Sequence, residues 1–226
     1  MAKLTAKDTN VGNDQLANAR WVSLPLANIF SQASLRLNSY TVESVQDPGM
    51  IAHVNARTML KEAEKKQMLS CALFNDSNDR AAEPDSMPPT GAQVVQPLSL
   101  MFGMCTSEYS VPHARIEMDF TIAPDLLSRI LVGDGNAQGQ IASTTLAATE
   151  WGLVTSFARP AVPQIPMNKT IVYEYPSQQF HSALVNDSTQ DIQLGVPASC
   201  YKMQVGFRRS GTRIDQDRCG FNHDWG

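Results

Sequence analysis

The stretch ARIEMDFTI, residues 114–122, alternates apolar and polar side chains without a break. Ile116, Met118, Phe120 and Ile122 fall on one face, and Arg115, Glu117, Asp119 and Thr121 on the other. A period of two belongs to a strand with one side in a core and one in water. The same period recurs in NIFSQASLRLNSYTVES, residues 29–45. There Ala33, Leu35 and Leu37 alternate with Ser34, Arg36 and Asn38. Asn38-Ser39 reads as a turn, because Asn tolerates left-handed backbone angles. Tyr40 and Val42 then alternate with Thr41 and Glu43. The pattern predicts a half-buried hairpin, with Leu35, Leu37, Ile116, Met118 and Phe120 buried in β-structure.

Later segments are of the same kind. TIVYEY at 170–175 is β-branched and aromatic, and CYKMQVGF at 200–207 puts Tyr201, Met203, Val205 and Phe207 on one face. Met203 and Val205 join the predicted buried set. TTLAATEWGLVTSFARP at 144–160 supplies at least one more strand. Asp47-Pro48-Gly49 breaks the chain after the hairpin. One or two short helices follow between about 50 and 72, supported by a Glu62–Lys66 pair at helical spacing. DLLSRILV, after Pro124, makes a short helical turn. Residues 75–97 carry four prolines and read as a long loop. Residues 1–20 are polar and read as a mobile arm. Three prolines from Pro160 to Pro166 mark a stiff linker. No repeat of 20–50 residues is visible. Short strands separated by turn signals predict a mainly β chain, a sandwich or barrel rather than βαβ units.

A chain of 226 residues can bury a sizeable core as one large or two small domains. Apolar residues make up 42% and charged residues 18%, a low charge content that suits burial against partners. The net charge of −4 argues against a nucleic-acid binder. The exception is FRRSGTRIDQDR at 207–218, where Asp215 and Asp217 interrupt Arg208, Arg209, Arg213 and Arg218. It reads as a solvated loop or interface turn. The first twenty residues hold no apolar run of signal-peptide length, so no secretion by that route is expected. No 18-residue apolar stretch marks a membrane span. The N-x-S/T triplets at Asn75, Asn168 and Asn186 are then chance matches. Cys71, Cys105, Cys200 and Cys219 lie far apart and read as free thiols in a reducing compartment.

The usual signatures of catalysis are missing. There is no nucleophile elbow, P-loop or dinucleotide fingerprint. VGDGNAQGQ at 132–140 is glycine-rich but lacks the Lys-Ser/Thr of a phosphate cradle, and reads as a loop. His53, His113, His181 and His223 sit in four different segments. Cys219 and His223 have a ligand-like spacing, but no second pair completes a zinc site. Glu117 and Asp119 could serve a glycosidase or a divalent cation from one strand face, though such a pair is usually the wet side of a strand. Tyr173, Tyr175, Trp151 and Trp225 could line a sugar groove, though aromatics at strand spacing more often pack in a core or a subunit contact. The residues therefore predict no catalytic residue, no metal site, no cofactor and no enzymatic activity.

Three segments in order resemble double jelly-roll major capsid proteins of the adenovirus-hexon lineage, above all those of Maverick/Polinton elements, adintoviruses and virophages. In ANIFSQASLRLNSYTVES the match lies on Phe30, Ser31, Gln32, Leu35, Leu37 and Asn38. The helical segment from AHVNARTML is similar to the family's next part, without its tyrosines. ARIEMDFTIAPDLLSRIL resembles a strand near the end of the family's first barrel, with Pro124, Leu126 and Leu127 in place. The segment from IVYEYPSQQF to VGFRRS resembles the opening of the second barrel, through Gly195, Pro197, Val205, Gly206 and Phe207. A complete double barrel is much longer than this chain. The resemblance is to a fragment or to a reduced relative with a different strand count.

The resemblance implies a jelly-roll sandwich or barrel with a short helical insertion and an incomplete second barrel. It divides the chain into a flexible arm at 1–24, a first jelly-roll-like domain at 25–160, a linker at 161–169 and the start of a second at 170–226. It implies a structural protein of an icosahedral virion, a homotrimer assembled inside the host cell beside other capsid proteins, with no sequence-specific nucleic-acid partner. A carbohydrate- or ligand-binding β-sandwich, such as a viral attachment protein, is the first alternative. A β-rich hydrolase using Glu117 and Asp119 is the second.

Overall fold

The computed structural model describes residues 1–8, 19–74, 92–106, 114–133, 144–153, 172, 174–179, 181, 183, 191, 193, 195, 200, 202 and 203. Among them, strands form two three-stranded antiparallel sheets and one two-stranded ribbon, with a few helices between. The chain is mainly β in this sense.

The hairpin organises the first sheet. Strands β3 (Phe30–Leu37) and β4 (Tyr40–Gln46) pair antiparallel, with Leu37 opposite Tyr40. The turn between them has φ of 48° at Asn38 and 72° at Ser39. Positive φ at both central residues is the type I′ geometry, whose twist matches that of the flanking strands. Strand β6 (Ile116–Ile122) pairs with the other side of β3, giving the order β4-β3-β6. The turn is tied to the start of β6. The Asn38 N–H donates to the Arg115 carbonyl and the Arg115 N–H to Asn38 Oδ1, both at 2.9 Å.

The predicted helical segment forms two helices, α2 (Pro48–Met59) and α3 (Glu62–Ala72), after a first single-turn helix α1 (Pro25–Asn28). Pro48 opens α2 rather than merely breaking the chain, since its fixed φ and missing N–H cost nothing at a first helical position. Gly49 is required by a close approach: a Cβ there would lie 2.2 Å from Asn28 Oδ1. At the start of α3 the Lys61 N–H donates to Glu64 Oε2 at 2.7 Å, satisfying one orphan donor. Glu62 meets Lys65, three residues on, rather than the predicted Lys66.

One core lies where α2 and α3 cover the β3–β4 sheet. Leu24, Ala33, Leu35, Val45, Ile51, Met68, Phe74 and Phe102 are buried in it. Short 3-10 turns at Leu98–Leu100 and Gly103–Thr106 close it from the side. Each fully buried Leu or Phe is worth about 1.5–3 kcal/mol against leaving it in water.

A second core joins Leu4, Trp21, Leu26, Ile29, Phe30, Val94, Ile130 and Leu131. It lies among the second sheet, the ribbon, α1 and helix α4 (Leu126–Ile130). The second sheet has the order β5-β1-β8, with β1 at Ala2–Asp8, β5 at Ala92–Val94 and β8 at Thr144–Thr149. The ribbon pairs β2 (Ala19–Trp21) with β7 (Leu131–Gly133).

Several expectations are corrected by this arrangement. The arm expected at 1–24 is not one over residues 1–8: these form the central strand of a sheet, with Ala2 and Leu4 fully buried. Polar composition misled there, because backbone pairing on both sides holds the strand, and over Ala2–Thr5 only alternate side chains are buried. Trp21 of β2 is likewise buried, so the folded body begins before residue 25. Ala92–Val94, inside the expected loop, pairs with Ala2–Leu4. The apolar face of β6 is only partly covered. Met118 is half-buried, but Ile116 is 53%, Ile122 59% and Phe120 37% exposed. β6 is an edge strand of its sheet, and the helices that bury β3 and β4 do not reach over its ends. Val172, Glu174 and Tyr175 are in no strand, and Met203 is in none and 63% exposed. Val205, like most of the expected second barrel, lies outside the described residues.

Candidate functional site

The most unusual side chain in the first core is Glu43, a carboxylate only 3% exposed. Simple alternation puts it on the wet face. The pairing shows why it is not there. Leu35 faces Glu43 while Arg36, the next residue, faces Thr41, so β4 carries one extra residue at Val42. A bulge of one residue reverses the side to which the rest of the strand points. Beyond it, Glu43 and Val45 face inward with Leu35 and Ala33.

The carboxylate meets backbone donors. The Gly103 N–H donates to Glu43 Oε1 at 2.9 Å and the Met104 N–H to Oε2 at 3.2 Å. These are the first amides of the 3-10 turn, which have no partner within it. The Gln178 backbone N–H is a third donor. Glu43 thus ties a strand, a turn and a distant extended segment together.

That segment, residues 174–179, crosses the site as a strap. Tyr175 Oη donates to the carbonyl of Val42, the bulged residue, at 2.7 Å. Asn55 on α2, itself buried, donates from Nδ2 to the Leu100 carbonyl at 2.9 Å and to Gln178 Oε1 at 2.7 Å. Gly103 leaves no space under the strap: a Cβ there would lie 1.4 Å from the Pro176 carbonyl oxygen.

Burial raises the Glu43 carboxyl above its ordinary 4.5, and the backbone donors only partly offset this. Burial, then the charge of Glu43, pushes the Cys105 thiol up to about 11 and also raises the Tyr175 phenol. A carboxyl with a raised pKa beside a thiol is a candidate for proton chemistry. Here each of its oxygens accepts a backbone amide, so its immediate effect is to fix the chain segments around it.

The residues singled out from the sequence fall elsewhere. Glu117 and Asp119 share a strand face as expected, but both are engaged. Arg36 Nη2 meets Asp119 Oδ2 at 2.9 Å, and Arg115 Nε meets Glu117 Oε1 at 2.9 Å. Arg36 Nε lies 3.6 Å from Glu117 Oε2. This is a charge ladder on an open sheet face, not a pair of free carboxylates. Trp151 is half exposed and its ring lies 5.9 Å from that of Phe30. Tyr175 belongs to the strap, so these two aromatics serve different places. Tyr173, Trp225, Cys219, His223, Asn75, Asn168, Asn186, Arg208, Arg209, Arg213 and Arg218 lie outside the described residues, as do 134–140 of the glycine-rich stretch. Cys71, Cys105 and Cys200 are free thiols. Among the described residues no group of three or more His, Cys, Asp or Glu could hold a metal ion. Among them too, no helix is long and apolar enough to cross a membrane.

Sequence reasoning missed Glu43 and Asn55. The only early signal for Glu43 was a lone carboxylate in an otherwise uncharged strand, SYTVES. No family model matches the chain, and no curated protein or solved structure is detectably similar to it.

Proposed function

We propose that the chain is a structural protein of a viral shell, built on a jelly roll and working as a homotrimer beside other capsid proteins within the virion. One observation carries this reading. The two segments that most resemble the double jelly-roll capsid proteins, ANIFSQASLRLNSYTVES and ARIEMDFTIAPDLL, lie about 90 residues apart, and their strands are neighbours in one antiparallel sheet, from Leu37 opposite Ile116 to Phe30 opposite Ile122. The use of the carboxylates points the same way. Glu117 and Asp119 are spent on Arg36 and Arg115, and Glu43 on backbone amides, which serves shape rather than turnover. The open face of Ile116 and Ile122 on an edge strand suits a subunit that buries surface in assembly.

The test is the state of the purified chain. Native mass spectrometry should find trimers, and electron microscopy of concentrated samples should find sheets or closed shells. A monomer at every concentration that binds a glycan on an array would replace this reading with the attachment-protein alternative. A packaging ATPase and a maturation protease encoded beside the gene would add independent support.

A further inference from the structure

The strap at 174–179 is held at three points, two on β4 and one on α2. Tyr175 Oη reaches the Val42 carbonyl on β4, Gln178 Oε1 receives Asn55 Nδ2 from α2, and the Gln178 amide reaches the Glu43 carboxyl group. Beneath it, Gly103 admits the Pro176 carbonyl where any larger residue would collide with it. The strap therefore forms the lid under which Glu43 is kept from water. We propose that Glu43 and the 174–179 strap form a proton-operated latch: the strap lies closed while the Glu43 carboxyl group holds a proton, and it lifts when that group ionises.

The charge environment gives the direction. Among the described residues no Lys, Arg or His forms an ion pair with Glu43. Among the described residues, the titratable groups that face it are acids: Cys105 from the 3-10 turn and Tyr175 from the strap. At its register β3 offers only Leu35. From α2, Asn55 turns to the strap, while His53 sets its ring edge-on to Phe74, 6.1 Å away. Among the described residues, an ionised Glu43 under the closed strap has backbone amide donors and no counter-charge. With the strap lifted it has water. Burial therefore favours the protonated, closed form, in line with the raised carboxyl.

Hydrogen exchange of the full chain tests this, with protection at each pH expressed against the rate of an unstructured chain. Between about pH 4 and about pH 8, protection over 174–179 should fall as Glu43 titrates, by at most about tenfold per pH unit, then level off. Protection over Phe30–Leu37 should stay constant. Glu43→Gln should abolish the pH dependence at the strap. Tyr175→Phe loses one tie but keeps the carboxyl group. It should lower strap protection about fivefold at every pH and leave the titration window in place. The latch is overturned if wild-type strap protection is flat with pH, if it falls in parallel with β3, or if Tyr175→Phe has a flat profile. Should Glu43→Gln fail to fold, the wild-type and Tyr175→Phe profiles decide.

Discussion

Tyr175 donates its phenolic hydroxyl to the carbonyl of Val42 at 2.7 Å, across 133 residues of chain. The acceptor belongs to the bulged residue of β4, whose carbonyl the ladder leaves over. One irregularity in a hairpin thus does two things. It frees a carbonyl to anchor a remote strap, and it turns Glu43 inward to meet the same strap. The consequences can be measured.

Gly103→Ala should displace the strap. The new Cβ would fall 1.4 Å from the Pro176 oxygen and 2.7 Å from its carbonyl carbon, both backbone atoms that cannot rotate away. A loss of about 1–3 kcal/mol in urea unfolding is expected, with faster proteolysis between 174 and 179. Wild-type stability and cleavage would show that the strap does not press on Gly103.

Glu43 should set part of the pH dependence of stability. The folded carboxyl lies above its ordinary 4.5, so the folded chain keeps a proton that the unfolded chain has lost. Its contribution is complete below 4.5 and declines as pH rises through the folded titration. Urea midpoints plotted against pH should slope downward over that window in the wild type, and less so in Glu43→Gln.

Cys105 should be an unreactive thiol. Its pKa of about 11 leaves almost no thiolate at neutral pH, whereas Cys200 is exposed. Iodoacetamide near neutral pH should label Cys200 first, with Cys105 labelled only on unfolding. The same shift, from 9.0 to about 11, withdraws stability as pH rises through that range. Mass spectrometry of labelled peptides reads the order directly.

The two sides of the sheet should respond unequally. Leu35→Ala removes a side chain that is 2% exposed and should cost about 2–5 kcal/mol. Ile122→Ser, on the open end of β6, should change monomer stability by no more than about 0.5 kcal/mol. A large loss at Ile122 would mean that its face is covered in solution.

Ser39→Gly should stabilise the hairpin. Ser39 has φ 72°, a conformation that costs an L-residue about 1–2 kcal/mol and glycine little. A gain of about 1 kcal/mol is expected in thermal or urea unfolding, because Asn38, which bonds Arg115, is untouched.

Period-two patterning in the sequence determined that 30–37, 40–46 and 116–122 are strands, and Asn38-Ser39 located the turn. Helix formers after Pro48 determined α2 and α3. These are local properties, set by neighbours a few residues away. Only the tertiary structure decided which faces are dry. Ile116 and Ile122 alternate as strictly as Leu35, yet they stand on an edge strand and stay exposed. Ala2–Asp8 reads as a polar tail until strands at Ala92–Val94 and Thr144–Thr149 pair with both its sides. Glu43 reads as a wet carboxylate until one extra residue at Val42 reverses the strand and brings in amides from Gly103, Met104 and Gln178. A bulge is a matter of register between two strands, and burial depends on which distant segment arrives above a residue. Neither is encoded in the spacing of side chains along a single strand.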